Sequence, residues 1–213
     1  MKSTKPEEVE TWTQKELSAF LAATVDDDLA TLYRVAAMTG LRRGEVLGLR
    51  WCDVDFDAEL IMVKQQVVAI DGRGTIASVK TNASRRSVTL DQRTMACLKS
   101  HRGRQARARL ALGADYQDLD LVFARVDGRW IEPGFVSGRF NSAVEATDGV
   151  KRIRFHDLRH THATLLLACG TDPKTVSARL GHTSVAFTLD RYTHVLPTMQ
   201  ANAANALAAI VDQ

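Results

Sequence analysis

In RLGHTSVAFTLDRYTH, residues 179–194, His182 is followed ten positions later by Tyr192, which Arg191 and His194 flank. A phenol ionises near pH ~10, so it attacks an electrophile readily only beside a base and among cations. Two other stretches supply such groups. In TGLRRGEVLGLRW (39–51), Arg42 follows a glycine helix stop, where a side chain can enter a cleft, and Glu45 one turn on can hold its guanidinium. In HDLRHTHATLLLACG (156–170), Arg159 stands three residues after His156, so both project from one helical face. A guanidinium fork stays charged and binds two oxygens at once, whereas an imidazole titrates near neutrality and can move a proton. These are tools for attack at phosphorus, where the growing charge on the equatorial oxygens must be met by fixed cations and donors unless a metal does so.

The elements that would position them can be read from periodicity. Thr13 and Glu16 form a capping-box pair, and Leu17, Phe20 and Leu21 follow at helical spacing. A second helix runs from about Asp28 to a stop at Gly40, and a short third covers Arg42 to Trp51. IMVKQQVVAI, TIASVK and RRSVTL then read as three strands, separated by the turns DGRG and TNAS. The spacing predicts further helices from Asp91 to about Ala111, Glu132 to Thr147, Asp157 to Cys169, Pro173 to Leu180 and Ser184 to Val195, and an Ala-rich helix in the tail.

Apolar content of 45% and charged content of 25% over 213 residues are those of an ordinary globular chain, with core enough for one compact unit. No apolar run is long enough for a membrane span, and the polar, acidic start MKSTKPEEVE is unlike a secretion signal, so no membrane partner and a cytoplasmic location are expected. Three cysteines, Cys52, Cys97 and Cys169, lack CxxC spacing and are expected as buried thiols. The net charge is only +3, but it is bunched in HRGRQARAR (101–109), KRIRFHDLRH (151–160) and SRR (84–86). Each alone is an ordinary solvated face; together they suggest one basic surface suited to a phosphate backbone.

TGLRRGEVLGLRW, VKTNASRRSVTL (79–90), HDLRHTHATLLLACG, LGH at 180–182 and Tyr192 stand in the order and spacing of the tyrosine recombinase (phage integrase) family, which the chain resembles over nearly its whole length. The resemblance implies an α+β, mainly α-helical catalytic-domain fold with a small three-stranded antiparallel sheet near residues 59–90. It implies that residues 1–213 are the catalytic domain, with the family's N-terminal core-binding domain absent from this chain. The catalytic set it implies is Arg42, Lys80, His156, Arg159, His182 and Tyr192. Arg42 and Arg159 would clamp the phosphate, His156 would transfer the nucleophile's proton and His182 would donate to a phosphate oxygen. Lys80, or Lys64 should the hairpin register differ, would protonate the departing 5′ oxygen, and Tyr192 would form a 3′-phosphotyrosine. No cofactor, nucleotide or metal is expected, because the covalent link retains the bond energy. The expected partners are a double-stranded DNA attachment or crossover site and further copies of the chain, gathered as a tetramer in the synapse through the C-terminal helix. The setting would be the nucleoid of a bacterial host.

Other readings remain at this stage. DPKTVSARLGHTSVAFTLDRY has the layout of a helix-turn-helix regulator, although Val185, Phe187 and Leu189 read as buried residues rather than groove readers. A type IB topoisomerase-like enzyme would share the chemistry. His156, His160 and His162 could suggest zinc, but Arg159 would set a cation against the metal, so His160 and His162 read as packing or supporting residues. Tyr33 lies on an apolar stripe, Tyr116 sits among acids, and Trp12, Trp51 and Trp130 read as packing.

Overall fold

In the computed structural model of the chain, which describes residues 10–70, 73–78, 85–192 and 196–211, Thr13 and Glu16 close a reciprocal cap at the start of α1 (Gln14–Ala23). Just ahead of that cap, the Trp12 backbone N–H donates to Thr161 Oγ1 at 3.0 Å and its indole N–H to the Lys151 carbonyl at 2.8 Å. The Trp12 ring packs on Phe20 (centroids 4.9 Å), Phe20 on Phe140 (5.2 Å) and Phe140 on Phe155 (5.4 Å). One aromatic seam therefore joins the first helix to α5 (Pro133–Glu145) and to the entry of α6 (Asp157–Ala168).

The centre of the molecule is α2 (Ala30–Thr39), which packs against α6 and against the long α4 (Gln92–Leu112). Leu32, Tyr33, Val35, Ala36 and Ala37 are all buried, so this helix is apolar nearly all round, as a helix covered on several sides must be. It ends at Gly40, whose φ of 65° is the left-handed cap that glycine adopts without strain. The short α3 (Arg43–Leu47) follows, and a 3₁₀ turn at Trp51–Asp53 leads into the strands.

The described strands form two antiparallel sheets, one of them three-stranded, where the sequence reading had joined its three strands into one. In the first, β1 (Val54–Asp55), β2 (Leu60–Val63) and β5 (Arg86–Thr89) are antiparallel in the order β1-β2-β5, with Ile61 opposite Val88 and Val63 opposite Arg86. In the second, β3 (Gln65–Ile70) and β4 (Arg73–Ser78) form a hairpin with Val67 opposite Ile76. The run 61–70, expected as one strand, breaks at Lys64, whose ammonium pairs with buried Asp53 at 2.8 Å. Beyond the break the chain lies directly on α3. A Cβ added to Gly44 would stand 2.5 Å from the Val67 carbonyl oxygen, and one added to Gly48 would stand 2.6 Å from Gln66 Cα. The two glycines, one helical turn apart, create the flat seat on which β3 rests.

The C-terminal part comprises α7 (Pro173–Leu180), α8 (Val185–Arg191) and α9 (Leu196–Val211). Ala163, Leu167, Val176, Leu180 and Tyr192 make a second small core between α6, α7 and the end of α8. No described helix is long and apolar enough to cross a membrane. Two of the expected buried thiols are exposed: Cys52 lies in the 3₁₀ turn, and Cys169 caps α6 past its last buried turn.

Gly40 gives a direct test of this packing. A Cβ there would lie 2.5 Å from Leu180 Cδ2 and 2.8 Å from His162 Cδ2. Left-handed strain and overpacking together should make Gly40→Ala less stable by about 2–4 kcal/mol. Urea unfolding checks this, and a loss below about 1 kcal/mol would contradict the packing described.

Candidate functional site

Four helix ends and one strand meet around Arg159. This arginine sits one turn into α6, is almost fully buried, and donates from Nη1 to the Gly40 carbonyl and from Nη2 to the Leu180 carbonyl, both at 2.8 Å. Both carbonyls lie at helix C-termini, where peptide dipoles concentrate negative charge, so two helices jointly hold one cation. Burial, then the charge of Arg42, lowers the Arg159 pKa to about 10, leaving it charged at neutral pH.

Arg42 is the N-cap residue of α3, and its Nη1 reaches Glu45 Oε1 at 2.9 Å, the i,i+3 pairing expected from the sequence. From the opposite side Arg86 on β5 grips the same carboxylate with both terminal nitrogens, at 3.1 and 2.8 Å, and donates from Nε to the Arg179 carbonyl at 2.6 Å. Burial alone would raise the Glu45 pKa, but the Arg86 hydrogen bonds and charge, joined by Arg42, outweigh it and hold the carboxyl below its ordinary range. One buried carboxylate thus braces two arginines, and the charges of Arg42, Glu45 and Arg86 all act on Arg159.

Arg86 was not singled out from the sequence except within a basic cluster. A signal was present, because Arg86 shares the inward face of its strand with buried Val88 and Leu90.

The histidines divide by partner. His182, just past the left-handed Gly181 cap of α7, places Nδ1 2.7 Å from the Thr188 hydroxyl. Burial, followed by Arg159 and Arg42, lowers its pKa to about 4. His156 is the N-cap residue of α6 with an exposed edge, and desolvation of its inner side, then Arg159, lowers its pKa. His162 turns to the other flank, with Nδ1 2.9 Å from the Ala37 carbonyl beneath Gly40. Among the described residues no group of three or more His, Cys, Asp or Glu gathers as metal ligands would.

Tyr192 caps the end of α8 and is only 1% exposed. Its hydroxyl lies 2.8 Å from Nδ1 of His160, a residue the sequence reading had set aside as packing or support. Burial raises the phenol pKa to about 12, while Arg159 and Arg191 pull the other way. Tyr33 is core, as expected, and Tyr116 packs under Arg109. Phe187, expected to be buried, is 51% exposed and covers the His182 ring edge-on at 4.9 Å. Of the residues expected to act together, Arg42, His156, Arg159, His182 and Tyr192 converge here; Lys80 lies outside the described residues, as does His194, noted only as a neighbour of the tyrosine. The alternative lysine, Lys64, is occupied by Asp53. A groove of about 1270 Å³ between α4 and the α1–α2 turn, lined by Arg34, Arg104 and Phe135, includes none of these side chains.

Residues 10–199 match the phage integrase family profile. A tyrosine recombinase XerC-like protein of Caldanaerobacter subterraneus subsp. tengcongensis is 35% identical over 212 residues, covering 94% of this chain and 54% of its own. The ICEBs1 integrase of Bacillus subtilis is 32% identical, covering 92% and 53% respectively. The chain spans about half the length of these curated relatives. Among solved structures, the Tn1549 transposon integrase in complex with transposon right-end DNA superposes with a TM-score of 0.78 at 21% identity, over 97% of this chain and 68% of that one. XerA recombinase does so with a TM-score of 0.73 at 25% identity, over 93% and 66%.

The depressed histidines make the cluster acid-sensitive. His160 and His162 fall from 6.5 to about 4 through burial, so the unfolded chain binds their protons first as pH drops. Their contribution is complete above pH 6.5 and is lost between about 6.5 and 4, with each worth at most about 3 kcal/mol. Denaturant midpoints should hold steady from pH 8 to 7 and decline steeply from pH 6 to 4.5; a flat profile there would contradict the burial described.

Proposed function

The chain belongs to the phage integrase family, and on that premise we propose that it breaks and rejoins DNA strands site-specifically through a covalent 3′-phosphotyrosine at Tyr192. The observation that carries this reading is the convergence around buried Arg159 of the braced Arg42–Glu45–Arg86 group and the Tyr192 side chain. Three guanidiniums against one carboxylate leave an excess of two positive charges, while burial favours neutral histidines. A phosphodiester offers the complementary charge, and its transition state offers more.

In this mechanism the Tyr192 oxygen attacks phosphorus and forms the O–P bond as the P–O5′ bond breaks. Arg42 and Arg159 hold the non-bridging oxygens. His182, with Nδ1 engaged by Thr188, has its other ring nitrogen to donate to one of them. His156 is the final acceptor of the proton released by the phenol, and Lys80 gives a proton to the departing 5′ oxygen, both roles assigned by their place in the family pattern. A second 5′ hydroxyl reverses these steps on a new strand, so the energy of the broken bond is kept and no nucleotide is consumed.

The proposed partners are a duplex carrying an attachment or crossover site and further copies of the chain, assembling as a tetramer on that DNA. Self-association rests on α9, where Leu207, Ile210 and Val211 remain exposed. DNA held by phosphate contacts should bind with steep salt dependence, each contact adding about 0.9 to the slope of log affinity against log salt. The proposed setting is the cytoplasm of a bacterial host, at its nucleoid.

The test is incubation with a library of nicked duplexes of randomised sequence, followed by denaturing electrophoresis. The wild type should form a protein–DNA adduct, Tyr192→Phe none, and Arg159→Lys at least about 100-fold less, because a fixed transition-state donor is typically worth that much. Binding without any adduct would replace this reading with a non-catalytic DNA-binding one.

A further inference from the structure

The partner of the Tyr192 hydroxyl is a side chain to which the mechanism above gives no task. His160 follows Arg159 on α6, is buried, and places Nδ1 2.8 Å from the phenol oxygen, with the two rings 5.9 Å apart. On its other side it meets the His156 ring edge-on at 5.2 Å. The result is a row of three rings running from the exposed N-terminus of α6 to the end of α8.

We propose that His160 is the positioning residue for the nucleophile, its Nδ1 accepting the hydrogen bond from the Tyr192 hydroxyl and so fixing the direction in which the oxygen's lone pairs point. The inference rests on the reading of Tyr192 as nucleophile and deepens it.

The direction of the bond follows from the chemistry of the pair. The phenol is protonated, since burial holds its pKa near 12, and therefore carries an O–H to give. The imidazole is neutral, because burial first, and then the charges of His156, Arg191 and Arg159 against that of Asp157, disfavour its cation. A neutral imidazole has one unprotonated nitrogen, a much stronger acceptor than a phenol oxygen, so the proton on the ring belongs to Nε2 and Nδ1 receives the phenol O–H. A tyrosine side chain can swing its oxygen about the Cα–Cβ bond and turn its hydroxyl about the C–O bond. The acceptor at 2.8 Å removes both freedoms at the atom that must meet phosphorus. Backbone geometry supports the same placement: the Tyr192 N–H donates to the Thr188 carbonyl at 3.1 Å, and the Thr188 hydroxyl lies beside His182. The end of α8 is thereby tied to both histidines of the cluster that face it.

Two variants separate positioning from bulk. His160→Asn sets an amide oxygen close to where Nδ1 stands, and His160→Leu fills the space with no acceptor. On the same library of nicked duplexes, single-turnover adduct formation by His160→Leu should be slower by about 100-fold, the usual cost of a misplaced reacting group, with DNA affinity within about twofold of wild type. His160→Asn should recover at least about tenfold of that loss. Leu and wild-type rates within about threefold of each other, or Asn no faster than Leu when both variants melt as wild type does, would overturn the proposal. A measurement on the wild-type fold needs no histidine variant. Nitrogen-15 NMR of histidine-labelled protein should show His160 Nδ1 unprotonated and its resonance displaced by Tyr192→Phe; a protonated Nδ1, or no response, overturns the proposal. Absence of any adduct from wild type is a different failure, since it removes the nucleophile itself and the function proposed above along with this inference.

Discussion

A single buried cation organises this molecule. The Arg159 guanidinium spans the gap between the Gly40 and Leu180 carbonyls and so pins the C-terminal ends of α2 and α7 to the first turns of α6. Removing such a charge from water is costly unless geometry and partners compensate, and here the compensation comes from two helix termini and, at longer range, the Glu45 carboxylate. The arrangement also explains why α2 must stop where it does. A helix continuing past Gly40 would not present that carbonyl, and a residue bearing a Cβ would collide with Leu180 and His162. Backbone conformation, packing and electrostatics thus impose the same requirement at one residue.

Around that cation, the cluster separates strongly charged groups from neutral ones. Glu45 absorbs one charge from the Arg42 and Arg86 pair and fixes the direction of both, in the way a doubly gripped carboxylate can. The histidines, in the same positive field, have their pKa values driven down rather than up. Neutral imidazoles can each accept as well as donate, which a ring of imidazoliums could not. One group of side chains therefore supplies charge, and its neighbours supply directed hydrogen bonds.

Much of this was legible before any coordinates. The Thr13–Glu16 cap, the glycine stop at residue 40 and the Arg42–Glu45 pair are local, i to i+3 or i+4 relationships, and local relationships leave a mark on the sequence. The break at Lys64 left none that periodicity could detect, because it depends on Asp53 behind the strand and on the Gly44–Gly48 seat that draws β3 away from β2. The partner of His160, read only as a packing or supporting residue, was hidden for a similar reason. That partner lies 32 residues along the chain, and nothing in HDLRHTHAT distinguishes a histidine that meets a tyrosine from one that, like His162, meets a backbone carbonyl. The exposure of Phe187 could not be read either, since the burial of a single turn of α8 is decided by how α7 and Gly181 aim it.

The depth at which Tyr192 lies has a further meaning for a chain proposed to cut DNA strands. With its ring shut away and its hydroxyl held by an imidazole, the phenol is screened from solvent and from small ions. Idle reactivity is limited in this way without undoing the hydrogen bond that aims the oxygen. Restraint of this kind is passive: it comes from ordinary core packing and holds whenever no duplex is engaged.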